Sequence, residues 1–321
     1  MTAGRKTAIG VGAAAAVGAG LALFSQWQGR RAEAQVPPDG RFVEVEGARL
    51  HYVELGAENL GGPALVMVHG LGGQLRNFSY ALADKVAAHH RVILFDRPRS
   101  GYSTVPAHSE PGIKAQADLI ARGITALGLS RPLLVGHSLG GAVSLSLALD
   151  HPGLVSALAL IAPLTQPQSE PPAVFRGLAA GAASKAGRYL MSNLVAVPIS
   201  TVTGPATLKA IFAPEPVPDD FQVRGGGLLA LRPGNVAAAM FEMAAAADEM
   251  AAIAARYGEL TLPVSILYGR EDHVLDYRPN GERTSGAIAR CRLELVDGGH
   301  MLPITQPDVT AAFLARAATD R

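Results

Sequence analysis

The chain is 321 residues long, room for one large α/β domain with an inserted subdomain or for two ordinary domains. With 49% hydrophobic and 17% charged residues it has ample material for a core, which excludes extended disorder. A single cysteine, Cys291, excludes an intramolecular disulfide and a cysteine-based zinc cluster, and a net charge of +1 leaves no electrostatic footprint for nucleic acid.

The first predicted element is a helix that crosses a membrane. No charged residue occurs from Thr7 to Gly29, and Ala8 to Phe24 is entirely apolar or glycine. As a helix the charge-free run measures roughly 34 Å at about 1.5 Å per residue, enough for a hydrocarbon core of about 30 Å. Arg5 and Lys6 flank it on one side, Arg30 and Arg31 on the other, and Trp27, the only tryptophan, falls where an interfacial aromatic belongs. Ala32-Glu33-Ala34 resembles a signal-peptidase site, but two arginines separate it from the apolar run, so an uncleaved anchor is favoured. A buried amphipathic helix is disfavoured because the run has no polar face. Residues 1–34 carry +3, which leaves −2 on residues 35–321. The flanking charges nearly balance, so the positive-inside rule leans only slightly toward a periplasmic or extracytoplasmic body.

Pro37-Pro38-Asp39-Gly40 reads as a linker from anchor to body. Arg41–Val45 and Ala48–Leu55, separated by Glu46-Gly47, predict an antiparallel hairpin. Ala64–Val68 is a buried strand ending in His69-Gly70-Leu71-Gly72-Gly73, and Phe78 to Ala88 is a predicted helix. Strand Arg91–Phe95 leads into the turn Asp96–Gly101, and helix Ile113–Leu127 precedes strand Pro132–Val135. After a helix over Ala142–Leu149 comes strand Val155–Ile161. Such alternation predicts a mostly parallel sheet with helices on both faces. From Pro163 to about Leu262 no strand stands out, prolines cluster, and Val236–Tyr257 reads as a helix, so 163–262 is predicted to be an inserted helical cap. Strands Pro263–Tyr268 and Cys291–Val296 and a helix after Pro307 complete the body, dividing it into 35–162 and 263–321 around the cap.

Gly136-His137-Ser138-Leu139-Gly140 is a Gly-x-Ser-x-Gly pattern placed between a buried strand and a helix. The glycines remove Cβ atoms that would clash in a sharp turn, and the helix N-terminus favours developing negative charge. Outside that context the pentapeptide would be an ordinary glycine-rich turn. A nucleophilic serine needs a base and an acid to orient it. In open α/β sheets functional groups gather at the carboxyl ends of strands. That rule selects Asp272, after Pro263–Tyr268, with Glu271 and Asp276 as rivals in the same loop. It selects His300 as base, after Cys291–Val296.

The other eight histidines have structural readings. His137 is expected to pack with its side chain away from Ser138, His273 to sit in a loop, His69 to shape its own turn, and His51 to lie on a hairpin strand. His89, His90, His108 and His151 are expected to be solvated. No histidine pair has metal-ligand spacing with a carboxylate partner, so neither metal nor cofactor is expected. Oxyanion donors are expected from the backbone N–H of Leu139, just after the serine, and of Leu71 in the glycine-rich loop.

These pieces, with Asp96-Arg97-Pro98-Arg99-Ser100-Gly101-Tyr102-Ser103 and Gly299-His300-Met301, resemble the α/β-hydrolase superfamily over roughly residues 40–321. The resemblance implies an eight-stranded, mostly parallel sheet with a cap after the sixth strand. It also implies Ser138, Asp272 and His300 as triad and the Leu71 and Leu139 amides as oxyanion hole. Asp96 and Arg97 match a family turn taken as structural. Dehalogenase and epoxide-hydrolase relatives use an aspartate nucleophile, so Ser138 argues against both. The expected activity is hydrolysis of small or medium hydrophobic carboxylic esters. A cofactor-free haloperoxidase, a carbon–carbon bond hydrolase, a lactonase and an acyltransferase share the same triad. A non-catalytic ligand-binding member is less favoured, because all three triad residues are present. The expected partners are a small-molecule ester and, through the N-terminal helix, a lipid bilayer.

Overall fold

The computed structural model describes residues 3–59, 61–179 and 184–320, the side chains of 3–11 and 179 excepted. Arg5 and Lys6, expected to flank the apolar run, therefore lie outside the described side chains. Eight strands form one sheet: β1 (Arg41–Val45), β2 (Ala48–Leu55), β3 (Leu65–Val68), β4 (Val92–Phe95), β5 (Leu133–His137), β6 (Ala157–Ile161), β7 (Val264–Gly269) and β8 (Cys291–Val296). Their order is β1-β2-β4-β3-β5-β6-β7-β8. β1–β2 and β2–β4 are antiparallel and every other pair is parallel.

Strands β3 to β7 are short, largely apolar runs buried on both faces, as a covered parallel sheet demands. Successive residues feed opposite layers. Val66 and Val68 join one core cluster and Leu65 and Met67 the other, each side chain worth about 1.5–3 kcal/mol on burial. The parallel register aligns Val68 with Gly136, His137 with Ile161, Ile161 with Leu267, and Gly269 with Val296. The loops that leave β3, β5, β6, β7 and β8 consequently emerge side by side on one edge.

Helices fill both faces: α1 (Ala3–Gln35), α2 (Arg76–Ser79), α3 (Ala83–Ala87), α4 (Ile113–Ala126) and α5 (Leu139–Asp150) come before β6. The helix expected over Phe78–Ala88 is two short ones. Tyr80, between them, points its hydroxyl to Asp220 at 2.5 Å. Between β6 and β7 no strand occurs among the described residues. That stretch holds a long helix, α6 (Lys185–Phe212), and α7 (Pro233–Ala254), which a proline opens. The α6 ladder passes through a π-helical turn at Ser192–Ala196, just before Pro198, whose ring removes one backbone donor. A last helix, α8 (Pro307–Thr319), packs back on the sheet.

The N-terminal segment differs from expectation at its far end. α1 runs through Gly29 to Gln35, and its last third docks on the cap. Ser25 is buried and donates to the Asn193 carbonyl at 2.6 Å, Ala32 and Val36 pack with Leu229, and Glu33 pairs with Arg232 at 2.9 Å. The expected linker is strapped down as well. Arg76 donates to the Pro37 carbonyl at 2.7 Å, and Tyr102 hydroxyl to that of Val36. The helix expected to span the membrane is thus continuous with a helix that packs on the cap. Among the described residues α6 is long and apolar enough to cross a membrane.

Candidate active site

Ser138 joins β5 to α5 with φ 54° and ψ −122°, a positive-φ conformation outside the left-handed helical region that costs a non-glycine residue on the order of 1–3 kcal/mol. Three backbone bonds hold it there. Its N–H donates to Ile161 O at 3.1 Å, and its carbonyl accepts from Gly141 at 2.9 Å and Leu164 at 2.9 Å. Two glycines make room. A Cβ on Gly140 would lie 2.1 Å from the Val68 carbonyl oxygen, and one on Gly70 would lie 2.9 Å from Ser138 Cβ. The sharp turn predicted from the pentapeptide is the turn observed.

Asp272 follows β7 and uses both carboxylate oxygens. Oδ1 accepts from the N–H groups of Val274 at 2.8 Å and Leu275 at 2.9 Å, while Oδ2 accepts from His300 Nδ1 at 2.7 Å. The rivals are occupied elsewhere: Glu271 accepts from Gly298 N at 3.0 Å and Asp276 from Arg278 N at 2.9 Å. With Nδ1 donating to a carboxylate, Nε2 of His300 is the nitrogen left to act as acceptor. Ser138, Asp272 and His300 are buried, at 8%, 9% and 4% exposure. Among the described residues no hydrogen bond joins His300 to Ser138. In resting enzymes such bonds often close only around substrate.

His137, expected to be a packed residue, is one, and it bridges the serine and histidine loops. Its Nε2 donates to the His300 carbonyl at 3.0 Å, and the two rings lie 5.0 Å apart. Burial, and then the charge of a protonated His300, bring the His137 imidazole down to about 3. A histidine depressed on folding binds fewer protons than the unfolded chain, so stability is full above the unfolded value near 6.5 and falls as pH drops toward about 3. The expected loss between pH 6.5 and 5 is roughly 2 kcal/mol. His137→Gln keeps a donor and removes the titration, so urea unfolding of that variant should show a flatter acid limb by that amount. Equal slopes for both proteins would refute the assignment.

The remaining histidines follow their structural readings with two exceptions. His51 on β2 donates to Asp96, and His69 Nδ1 bonds its neighbour's carbonyl, Gly70 O. His89 and His108 are exposed, but His90 is half-buried and His151 pairs with Asp118 at 2.8 Å, so neither is simply solvated. Cys291 opens β8, and burial pushes its thiol up to about 12.

The glycine-rich loop leaves β3 directly beside the serine strand. Leu139 is the first residue of α5, where a backbone N–H has no partner within the helix, and Leu71 is half-buried in the neighbouring loop. The Asp96–Ser103 turn is structural, as expected. Asp96 accepts from the N–H of Leu75 at 2.8 Å and of Tyr102 at 2.8 Å. Arg97 reaches further than a turn residue. Fully buried, it donates through Nε to His69 O at 2.9 Å and through Nη2 to Gly70 O at 3.0 Å, gripping the loop from behind. Its charge is met by Glu242 of α7 through two bonds of 2.8 and 3.0 Å, and Gln116 adds a third partner at 2.7 Å. On the other side of the site, cap residue Glu215 accepts from Gly299 N at 3.1 Å. Both cap carboxylates escaped sequence reasoning, since neither sits in a motif.

A separate cavity of about 820 Å³ opens between Pro63, Arg131, Ser156, Pro263 and Arg290. These residues precede strands, so it lies at the opposite sheet edge from Ser138 and from the carboxyl ends where such folds do chemistry.

A family model described as the alpha/beta hydrolase fold matches residues 63–307. The dihydrolipoyllysine-residue acetyltransferase component of the acetoin cleaving system of Cupriavidus necator is 33% identical over 124 residues, 39% of this chain and 32% of that protein. The chain thus spans about a third of the length of that curated relative. Among solved structures, an alpha/beta hydrolase fold protein from Burkholderia ambifaria superposes with a TM-score of 0.71 at 24% identity, over 86% of this chain and 97% of that one. A membrane phospholipase A, a bacterial virulence factor, superposes with a TM-score of 0.68 at 23% identity, over 98% and 99% of the two chains. At such identities the likeness is one of fold. The family match covers most of the chain, and the sheet order and the strand–serine–helix turn agree with it: the chain belongs to the α/β-hydrolase fold family.

Proposed function

We propose that the protein is a serine hydrolase that cleaves carboxylic esters of small or medium hydrophobic substrates, held at a lipid bilayer by α1. The observation that carries this reading is Ser138 strained on its turn beside a buried Asp272–His300 pair bonded at 2.7 Å. His300 Nε2 takes the hydroxyl proton as Ser138 Oγ attacks the acyl carbon, and Asp272 stabilises the imidazolium. The Leu71 and Leu139 N–H groups receive the oxyanion. His300 returns the proton to the leaving alkoxide, an acyl-enzyme remains, and water attacks it by the same route to release the carboxylic acid. The apolar, Ala- and Met-rich α7 in the cap supports a hydrophobic acyl or alcohol portion.

The test is a p-nitrophenyl ester series from acetate to laurate, run on the full chain beside a fluorophosphonate probe. Turnover and a covalent adduct on Ser138 are expected. An unlabelled Ser138 in folded protein would instead make this a ligand-binding member. For α1, support comes from its charge-free run and from the exposure of nearly every described residue between Gly12 and Phe24, with no polar face.

A further inference from the structure

We propose that the cap itself lies on the bilayer, with α6 as a second lipid contact beside α1; this rests on the reading that α1 enters the membrane. Eleven large hydrophobic residues are exposed among the described residues, and nine of them fall on these two helices. Val17, Leu23, Phe24 and Trp27 lie on α1, and Tyr189, Leu190, Val195, Ile199 and Val202 on α6. On a folded body in water such residues are scattered singly, and a large contiguous patch marks an interaction surface.

α6 is inside out. A helix on a water-facing surface turns apolar residues inward and polar ones outward. Here Ser192 and Asn193 are buried, whereas Val195, Ile199 and Val202, spaced to share one face, point out, with Val202 80% exposed. The most apolar stretch of α6 has a mean hydropathy of 1.3 and buries almost none of it. The two helices meet through polar groups. Ser25 Oγ donates to Asn193 O at 2.6 Å, and Gln26 Nε2 donates to Asn193 Oδ1 at 2.7 Å. Polar contacts between helices with apolar exteriors are how helices associate when lipid is the solvent.

That meeting point also sets the depth. Ser25 sits near the end of the charge-free run of α1, and Leu23, Phe24 and Trp27 surround it. The exposed face of α6 therefore begins where α1 leaves the body, so both surfaces share one medium. A second copy of the chain would cover one stripe. It would not cover α1 from Gly12 to Phe24, which is exposed on nearly all sides. Lipid solvates all of it. Arg30 and Arg31, exposed just past the run, suit an anionic headgroup layer.

The experiment uses the full chain reconstituted in phosphatidylcholine vesicles with or without brominated acyl chains. Trp27 is the only tryptophan, so a Trp27→Phe background is dark. Val202→Trp in that background places an indole on α6, and Val17→Trp places one on α1; both sites are exposed, so neither change disturbs the core. Emission from both indoles is expected to fall at least about twofold in brominated lipid, the depth expected of an interfacial apolar face. Quenching at Val17→Trp without quenching at Val202→Trp would overturn the α6 contact and leave the anchor standing. The reverse would remove the anchor and keep α6 on the bilayer. An unquenched Val202→Trp in a protein that cross-links as a dimer would assign the face to a second copy.

Discussion

Ser138→Ala is expected to lower ester turnover by about 10⁴- to 10⁶-fold with the fold unchanged, because no neighbouring group can take over as nucleophile. The alanine retains the backbone bonds to Ile161, Gly141 and Leu164, so the turn stays in place while Oγ is lost. Steady-state kinetics on the best ester of the series, with circular dichroism as the check on folding, measures this. Asp272→Asn should cost about 10⁴-fold at similar volume, since an amide turned toward His300 Nδ1 favours the wrong imidazole tautomer. Its Oδ1 position can still accept from Val274 and Leu275, so the loop should hold. Wild-type rates from Ser138→Ala would eliminate the acyl-enzyme mechanism outright.

The second large effect concerns stability. Glu242→Leu is expected to destabilise the protein by about 3–5 kcal/mol, because it leaves the Arg97 guanidinium charged and buried without its carboxylate. The companion Arg97→Met/Glu242→Leu should recover part of that loss, since no buried charge then remains. Recovery should stop short of complete. The carbonyls of His69 and Gly70 each lose an Arg97 donor, and a buried acceptor left unpaired costs about 1–3 kcal/mol. Urea unfolding of both variants and of Arg97→Met closes the double-mutant cycle. A loss under about 1 kcal/mol for Glu242→Leu would mean that water reaches the pair.

Much of the molecule could be read from local pattern. Strands β3 to β7 are short, largely apolar runs and β8 alternates apolar with charged residues, all punctuated by turn residues, and period and punctuation are properties of neighbouring residues. Gly136 to Gly140 could be read because a serine forced to positive φ needs small neighbours within two positions. The rule that chemistry gathers at strand ends could place the acid in the loop of Asp272 but left Glu271 and Asp276 as rivals there. The choice itself depends on which carboxylate the β7–β8 register swings toward His300. The single helix expected over Phe78–Ala88 is instead Arg76–Ser79 and Ala83–Ala87, and the Tyr80 hydroxyl between them finds Asp220, a partner 140 residues away.

The amino-acid sequence by itself determined the strand succession, the sharp strand–serine–helix turn and a charge-free N-terminal run, because each is written in contiguous residues. Only the tertiary structure decided that Glu242 neutralises Arg97 behind the glycine-rich loop and that Glu215 holds Gly299. It alone showed that Asn193 of α6 meets Ser25 and Gln26 of α1 while Val195, Ile199 and Val202 face out. Those facts join residues far apart in the chain, and no local periodicity encodes which buried charge will find which partner.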